Sequence, residues 1–546
     1  LASRIDRLGR EEKELLQTLA VIGKEFPLSL IRKVVRSADD DLERMLSELQ
    51  VAEFIYEQPA VSDLEYTFKH ALTQEVAYGL LLNERRKELH RRIGAAIESL
   101  YSERLEDHYG ELARHYSRAG ESAKAVHYLG LAGEQAFARS AYAEAIANLA
   151  TGLELLKTLS GSPARDRQEV RMQLTLASAL FVVTGPASDE AAAAFSRAYE
   201  LCRRGGESPD VVAALVGLSR VHLFRGAVHK AREVSQEAVE AAGRIQDPAI
   251  VATAHCSQGM VLHFLAELAE ARERLEQAIT LFNSISVPSS SMGRLISFLY
   301  LGRTLWLLGF PDQALERTRQ TEIAGQESTD PVAKGFGLAL TLEVYAWCGN
   351  FDVVREHVQM FLDAPWTAEL NPGFHSDTDL FRGWLMTREG QPQGITLIRN
   401  AIATRAVFRL YRALYGSMLV EACASLGRID DAMTAFDETL PFAETEEHYY
   451  EAELHRLRGE LLLRRTVADR ENGEQCFREA IDIARRQGAK SWELRATTSL
   501  ARLLRDIGRR DEARAMLAEL YGWFTEGFNT VDLKQAKALL DQLQTY

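Results

Sequence analysis

Histidine and arginine side chains near the start of the chain are the first candidates for chemistry. His70 and His90 carry imidazoles, which bind metals or transfer protons near neutral pH. Arg85 belongs to a basic stripe that continues to Arg92. The simpler interpretation is a buried histidine bonded to the backbone, beside a solvated helix face. Both interpretations are open at this stage.

No motif in the sequence demands catalysis. His108 and His115 are seven positions apart, and neither they nor His255 and His263 have a third ligand on the same turn, as a helical zinc site needs. The nucleophile motif Gly-x-Ser-x-Gly and the phosphate loop Gly-x-x-x-x-Gly-Lys-[Ser/Thr] do not occur. We predict no catalytic residue, no metal and no cofactor, and therefore no enzyme activity in this chain.

Composition narrows the classes of partner. The net charge of −14 opposes binding to nucleic acid phosphates or to an anionic membrane. No apolar run approaches the roughly 20 residues that span a bilayer. The five cysteines are far apart and odd in number, which favours buried thiols in a reducing compartment. We predict no nucleic acid, no membrane, and a cytoplasmic location.

A repeat of about 40 residues organises most of the chain. A turn residue, usually glycine, is followed five positions later by a small or apolar residue, as in Gly226 with Ala231. One hairpin cannot bury its apolar face alone, so neighbouring hairpins must stack. The pattern predicts an all-α fold that resembles the tetratricopeptide type, a right-handed α-solenoid of about ten or eleven hairpins. The second members of the pairs are Ala145, Ala191, Ala231, Ala271, Ala314, Val354, Ile395, Ala432, Gly473 and Ala513.

The first 70 residues follow a different pattern. Helical periodicity over 11–21, 28–35 and 39–49 precedes two β-like runs, 52–56 and 64–68, with a turn at Pro59–Asp63 between them. This is the outline of a winged helix. Its third helix begins with Asp39, Asp40 and Asp41, whose carboxylates would repel DNA, so we predict a structural lever. We place the winged helix at 1–70, connecting helices at 71–104 and repeats at 105–546.

Aromatic residues recur near the ends of the first helices of the hairpins. Their fixed offset from the turn residue indicates that they mostly wedge adjacent hairpins together. The alternative is that some line a concave groove and bind a peptide, a protein partner or a small effector. The candidates for that groove are Trp306, Trp347, Trp384, Tyr411, Tyr415, Tyr449 and Trp492.

Three segments carry a family resemblance. The first joins Phe68-Lys69-His70 to Tyr78, Arg85 and Leu89-His90; the others are Leu112-Ala113-Arg114-His115-Tyr116 and Trp523-Phe524-Thr525-Glu526-Gly527-Phe528. They resemble, respectively, the junction after the ATPase, the first repeats and the C-terminus of large bacterial signalling ATPases. These are the STAND-type proteins, often fused to a class III adenylate cyclase domain.

The resemblance implies that this chain corresponds to the last parts of such a protein. The family order is cyclase, nucleotide-binding domain, winged helix and repeats, so ATP and magnesium are implied only upstream of Leu1, and we expect the chain to be a fragment. His70, Tyr78, Arg85 and His90 become candidates for the inter-domain junction, where a histidine would sense nucleotide phosphates or fix the hinge.

The predicted function is therefore that of a non-catalytic regulatory and interaction region, next to an upstream nucleotide-binding domain. One alternative is a part of an ATP-binding adenylate cyclase whose catalytic domains lie upstream. A second is an ATP-dependent transcriptional regulator.

Overall fold

The computed structural model describes residues 2–35, 37–58, 63–205, 208–285, 291–405, 409–465 and 469–544. The chain divides into two compact units. Unit 1 comprises residues 1–179 and unit 2 comprises residues 180–546.

Unit 1 begins with four helices and a small antiparallel sheet. Strand β3 pairs with both β1 and β2, which gives the order β1-β3-β2. The predicted helices and both β-like runs are present, whereas β1 was not predicted, because its three residues find their partner about 40 positions later. Most of the predicted turn at Pro59–Asp63 lies outside the described residues. The bounds are α1 Ala2–Ile5, α2 Arg10–Ile22, β1 Glu25–Pro27, α3 Leu28–Val35, α4 Asp39–Val51, β2 Ile55–Gln58 and β3 Glu65–Phe68.

The rest of unit 1 is helical. One apolar core, from Ile5 to Leu129, joins the sheet and the first helices to those that follow. Beyond Phe68, the described part of the chain contains no strand. The helices are α5 Ala71–Gly79, α6 Asn83–Leu100, α7 Tyr109–Ala119, α8 Ser122–Ala138, α9 Tyr142–Leu156 and α10 Pro163–Val183, the last of which contains the division between the units.

Unit 2 is a series of antiparallel helix pairs, each packed on the next. Several first helices begin at an Asp-Pro or Asn-Pro pair; the Asp247 carboxylate, for example, accepts the N–H groups of Ala249 and Ile250. The helices are α11 Asp189–Gly205, α12 Pro209–Phe224, α13 Val228–Ile245, α14 Pro248–Phe264, α15 Leu268–Ser284, α16 Met292–Leu307, α17 Pro311–Glu327, α18 Pro331–Leu338, α19 Leu342–Cys348, α20 Phe351–Asp363, α21 Pro372–Arg388, α22 Gln393–Thr404, α23 Arg412–Ser425, α24 Ile429–Thr445, α25 Glu451–Arg465, α26 Arg470–Gln487, α27 Lys490–Asp506, α28 Arg510–Tyr521 and α29 Val531–Gln544.

The residues of the repeat signature occupy the structural positions that the sequence predicts. Gly226, Gly309 and Gly427 adopt φ angles of 76°, 92° and 73°, which end a first helix in the left-handed region. The second members open the following helices, and Ala231 and Ala432 are both 0% exposed. The small side chain lets the second helix cross the first closely. These stacked hairpins confirm the predicted fold class, an all-α, tetratricopeptide-like α-solenoid.

First helices far apart in sequence also meet within unit 2. The Ser491 hydroxyl on α27 donates to the Trp306 carbonyl on α16 at 2.5 Å, across 185 positions. The Arg409 N–H likewise donates to the Phe224 carbonyl at 3.0 Å. The inner faces of the hairpins therefore pack on one another.

Two further findings concern the surface and the thiols. No helix among the described residues is long and apolar enough to cross a bilayer. All five cysteines are buried and free, and burial raises the pKa of Cys202 to about 11.

Candidate functional site

One position of the repeat points inward in five first helices of unit 2, namely α16, α19, α21, α23 and α27. This position lies six residues before the turn residue of each hairpin. The first helix ends about one helical turn after it. We call the residues at this position the inner row. Neighbouring members contact each other: Arg303 Nε lies 2.9 Å from Glu343 Oε2, and Trp384 Nε1 donates to Glu421 Oε2 at 3.0 Å. The inner row comprises Arg303, Glu343, Trp384, Glu421 and Arg502.

Four members of the inner row, all except Arg303, border a cavity of about 420 Å³. We call it the inner cavity. It is built by α19, α21, α23, α25, α27 and α29, and its size lies in the range of small-ligand sites. Its wall combines aromatic rings with formal charges of both signs. The charged lining residues are Glu343, Arg388, Glu421, Glu453, Arg456, Glu460, Arg464, Arg495, Arg502 and Asp532.

Two arginines of the inner cavity are bound to carboxylates of the protein itself. Arg456 donates to both oxygens of Glu453 at 2.8 Å, and Arg495 donates to Asp532 at 2.9 Å. Arg495 also donates to the Trp347 carbonyl at 3.1 Å. Burial raises the pKa of Glu453, but Arg456 and Arg495 outweigh it and lower that pKa overall. This pairing keeps the charges ionised in a low-dielectric site.

The deepest charged pair is Arg303 with Glu343. The two residues are 2% and 1% exposed. Arg303 also donates to the Tyr411 hydroxyl at 2.9 Å and to the Leu340 carbonyl at 3.0 Å. Neither oxygen of Glu343 accepts a hydrogen bond of good geometry, although the Arg303 guanidinium is within 2.9 Å. Burial therefore raises the pKa of Glu343 to about 7, despite the opposing effect of Arg303.

Three other arginines of the inner cavity have no carboxylate partner among the described residues. Arg388 stacks on Phe351 and Trp384, with its Cζ 4.3 Å and 4.8 Å from the ring centres. Arg464 donates to the Ala424 carbonyl at 3.0 Å, and Arg502 donates to Gln535 Oε1 at 2.9 Å. The acceptors of the Arg464 and Arg502 hydrogen bonds are therefore uncharged.

Burial and neighbouring charges disfavour the cation at Arg502. Burial lowers the pKa of its guanidinium, Glu460 opposes that effect, and Arg456 and Arg505 lower the pKa further. The positive charge at this point of the wall is incompletely compensated.

The predicted open groove is wrong for the aromatic candidates. Trp306, Trp347, Trp384, Tyr411, Tyr415, Tyr449 and Trp492 are all buried, at 1–6% exposure. The cause is the close packing of first helices: Trp347 of the neighbouring hairpin lies 4.5 Å from Trp306, and Trp492, 186 positions after Trp306, lies 4.7 Å from it, between ring centres. The wedge interpretation describes them better.

Five of the seven aromatics line one of two cavities. Trp347, Trp384 and Trp492 line the inner cavity, and Tyr411 and Tyr415 line a second cavity of about 380 Å³. The Tyr415 hydroxyl donates to Asp377 at 2.5 Å, and the carbonyl of Tyr449 accepts the Trp492 indole N–H at 2.7 Å. Trp306 belongs to the apolar core of unit 2. A role in ligand binding stays a prediction for the cavity-lining residues.

Unit 1 contains a separate buried polar cluster, which we call the histidine cluster. His90 and His115 are 2% and 0% exposed, and their Nδ1 atoms are 2.9 Å apart. One of these facing nitrogens must lack a proton, so at least one ring is neutral. The Tyr78 hydroxyl lies 3.1 Å from His90 Nε2, and Arg118 donates to that hydroxyl at 3.0 Å. Glu111 borders the other end, 3.8 Å from His115 Nε2.

Burial favours the neutral form of both rings. It lowers the pKa of His90 to about 3, assisted by His115 and the cationic Arg118. Burial also lowers the pKa of His115, against the effect of Glu111. Among the described residues, no group of three histidine, cysteine or acidic side chains is placed to share a metal ion.

The four junction candidates do not form one site. Tyr78 and His90 are hydrogen-bonded, whereas His70 and Arg85 are exposed and separate from them. The parts of His115 and Arg118 in this cluster were not predicted from the sequence. The signal for His115 is its place as a polar residue on the inward face of α7, one helix after His90, whereas Arg118 is exposed.

Carboxylates surround the one arginine of the acidic helix α4. Arg44 lies 3.0 Å from Glu11, 3.1 Å from Glu12 and 3.0 Å from Glu48. The cation that DNA would need on this helix is therefore surrounded by carboxylates.

Comparison with known proteins gives distant matches. No known protein-family profile matches the chain. An uncharacterized protein of Rhizobium meliloti (strain 1021) is 25% identical over 540 residues, which cover 93% of this chain. The chain spans about half, 50%, of the length of that relative.

Solved structures with related folds are also distant. A Rap protein complexed with competence and sporulation factor has 9% identity and a TM-score of 0.41, over 77% of this chain and 99% of that chain. The apo quorum sensor NprR from B. thuringiensis has 12% identity and a TM-score of 0.40, over 65% and 98%. A signal transduction ATPase with a tetratricopeptide repeat sensor, from Pyrococcus horikoshii, has 13% identity and a TM-score of 0.25, over 99% and 66%. The fold class of this chain rests on its own hairpins.

Proposed function

We propose that this chain is a non-catalytic sensor and interaction region, and that unit 2 binds an effector in the inner cavity. One observation carries the proposal: a cavity of about 420 Å³ whose wall holds five arginines and five acidic residues. Burying charge is costly, and apolar side chains would complete a purely structural core at lower cost. A wall that retains charge beside a ligand-sized space is typical of a recognition site.

The size of the cavity limits what can enter it. It accommodates a small molecule or the end of a peptide, and a larger protein partner would reach it only through an extended segment. A ligand that contacts α21, α23, α25 and α27 together would favour one spacing of these first helices. It changes the state of the protein only if its affinity differs between the two spacings.

The wider assignment rests on the resemblance of short segments. We propose that the first part of unit 1, whose order is helix, strand, two helices and a hairpin, is a winged helix, followed by connecting helices and repeats. We propose further that the parent protein is a STAND-type signalling ATPase, of the kind fused to adenylate cyclase, in the cytoplasm. ATP and magnesium would then belong to domains upstream of Leu1, and this chain would have no catalysis or cofactor of its own.

A ligand screen with a blocked cavity tests the proposal. The full chain is screened by thermal shift against metabolites and short peptides of either charge. Ser425→Trp places a large ring on the wall of the inner cavity, and Thr280→Trp adds the same ring on the exposed face of α15 as the matched control. We expect ligands that stabilise the natural chain and Thr280→Trp but not Ser425→Trp. Ligands that stabilise all three equally would contradict the proposal.

Two measurements address the alternatives. ATP hydrolysis by this chain would support the enzyme alternative, and we expect none. A gel shift at low salt would support a DNA-binding regulator, and we expect none because carboxylates surround Arg44.

A further inference from the structure

We infer that the inner cavity binds a small anion, carrying carboxylate or phosphate groups, through Arg388, Arg464 and Arg502. This inference deepens the proposed function and rests on it. Its basis is an asymmetry between the charges that line the cavity.

Four of the five acidic residues of the wall already accept hydrogen bonds from the protein, and the fifth, Glu343, is paired with the Arg303 guanidinium at 2.9 Å. Glu453 accepts from Arg456 and Arg495, and Asp532 accepts from Arg495. Glu460 lies 3.4 Å from Arg456 and accepts the Ser499 hydroxyl at 2.7 Å. Glu421 accepts the indole N–H of Trp384. A ligand cation would have to compete with these contacts.

The three arginines of the inference, in contrast, have no carboxylate partner among the described residues. Within the part of the chain that the structure describes, Arg464 and Arg502 donate to neutral oxygens alone, and Arg388 lies over aromatic faces. The acceptor for Arg464 is the Ala424 carbonyl in the last turn of α23, where a helix end supplies only about half a negative charge. A carboxylate or phosphate would supply full charge and two acceptor oxygens to each planar guanidinium.

The environment of Arg502 supports the same conclusion independently. Its guanidinium is half-buried, and burial together with Arg456 and Arg505 disfavours its charge more than Glu460 and Asp532 favour it. A bound anion would remove this repulsion. The three arginines belong to α21, α25 and α27, and all three line the inner cavity.

Titration of the full chain with two probes tests the inference. Inorganic phosphate and citrate are added separately in a chloride buffer at constant ionic strength, and binding is followed by calorimetry. The variants are Arg464→Gln and Arg502→Gln. Arg514→Gln is the matched control, because it removes an exposed arginine from α28, which neither lines the cavity nor is among the charges that act on Arg502.

We expect saturable binding of at least one probe, weakened about tenfold or more in Arg464→Gln and Arg502→Gln and unchanged in Arg514→Gln. Binding of phosphate alone identifies a phosphate-bearing ligand, and binding of citrate alone identifies a carboxylate. Arg464 is exposed, so Arg464→Gln decides the test if Arg502→Gln fails to fold.

Two results would overturn the inference: no saturable binding of either probe, or equal binding in all three variants. Failure of the proposed function gives a different result. If cationic or neutral ligands bind in a manner that Ser425→Trp blocks, the inner cavity is a sensor site and the anion inference alone is wrong. If no ligand of any charge binds in a manner that Ser425→Trp blocks, both the proposed function and the anion inference are wrong.

Discussion

The histidine cluster of unit 1 and the inner row of unit 2 are both polar groups inside helical layers, but they meet the cost of burial differently. In the histidine cluster, His90 and His115 hydrogen-bond to each other, and burial keeps the rings neutral. In the inner row, Arg303 stays cationic beside Glu343, and other charges border open space.

The difference separates a structural polar cluster from a candidate binding site. His90 packs against the rings of Tyr78 and His115, 5.9 Å and 5.1 Å away between ring centres, so its hydrogen bonds end within the protein. In the wall of the inner cavity, whose volume is about 420 Å³, Arg464 and Arg502 donate hydrogen bonds to uncharged acceptors. Burial of polar groups alone is therefore weak evidence of function, whereas an uncompensated charge beside a cavity is stronger evidence.

The largest expected effect comes from removing one member of the deepest ion pair. Arg303→Met leaves the Glu343 carboxyl buried with no cation, and we expect a loss of about 3–5 kcal/mol in the free energy of unfolding at pH 8. All six tryptophans lie in unit 2, so tryptophan fluorescence during urea unfolding reports on this unit.

The pH dependence of that variant sharpens the comparison. The folded pKa of Glu343 is about 7, above the ordinary value of 4.5, so its contribution to stability is fully present below pH 4.5 and is lost as the pH rises through 7. Arg303→Met should therefore cost less at pH 5 than at pH 8. The double variant Arg303→Met with Glu343→Leu should recover much of the loss. A single variant as stable as the natural chain at pH 8 would show that the pair is not buried in solution.

The histidine cluster should respond to pH with the opposite sign. The folded pKa of His90 is about 3, below the ordinary 6.5, so its contribution is present above pH 6.5 and is lost as the pH falls towards 3. We expect unit 1 to lose about 2 kcal/mol between pH 7 and pH 5 from this residue. Hydrogen exchange of amides in α6 and α7, corrected for intrinsic rates, measures the change.

His90→Gln is the matched variant for this test, because glutamine keeps hydrogen-bonding atoms but does not titrate. Its α6 and α7 amides should show a smaller dependence on pH over the same range. If the pH dependence of exchange is unchanged in His90→Gln, His90 is not the group that titrates. The histidine cluster would then not differ from the inner row in the way described here.

The repeat could be predicted from the sequence because its determinants are local. Gly226 ends a helix through its φ of 76°, and Ala231 permits a close crossing five positions later, so both features recur within one hairpin. The burial of Trp306 could not be predicted in this way. Its neighbour Trp492 lies 186 positions later, and the contact depends on rotations accumulated over several repeats.

The candidate site was only partly accessible to sequence reasoning. Trp347 and Trp384 were chosen for their aromatic character, and both line the inner cavity. The charged members of the inner row were missed, although Glu343, Glu421 and Arg502 stand six residues before Gly349, Gly427 and Gly508. A charge at a fixed offset within an apolar first helix is the signal that would have found them. Their pairing could not be predicted, since Arg303 and Glu343 belong to different hairpins.

The smallest expected effect on stability concerns an arginine of the inner cavity. Arg388→Gln removes contacts with the rings of Phe351 and Trp384 but no ion pair, so we expect a loss of no more than about 1 kcal/mol by urea unfolding. Arg382→Gln, at an exposed position of the same helix, is the control and should be nearly neutral. The contrast with Arg303→Met would show that the charges at the cavity wall contribute little to folding. A loss of several kcal/mol in Arg388→Gln would instead make Arg388 structural, and the distinction between the two clusters would no longer identify a binding site.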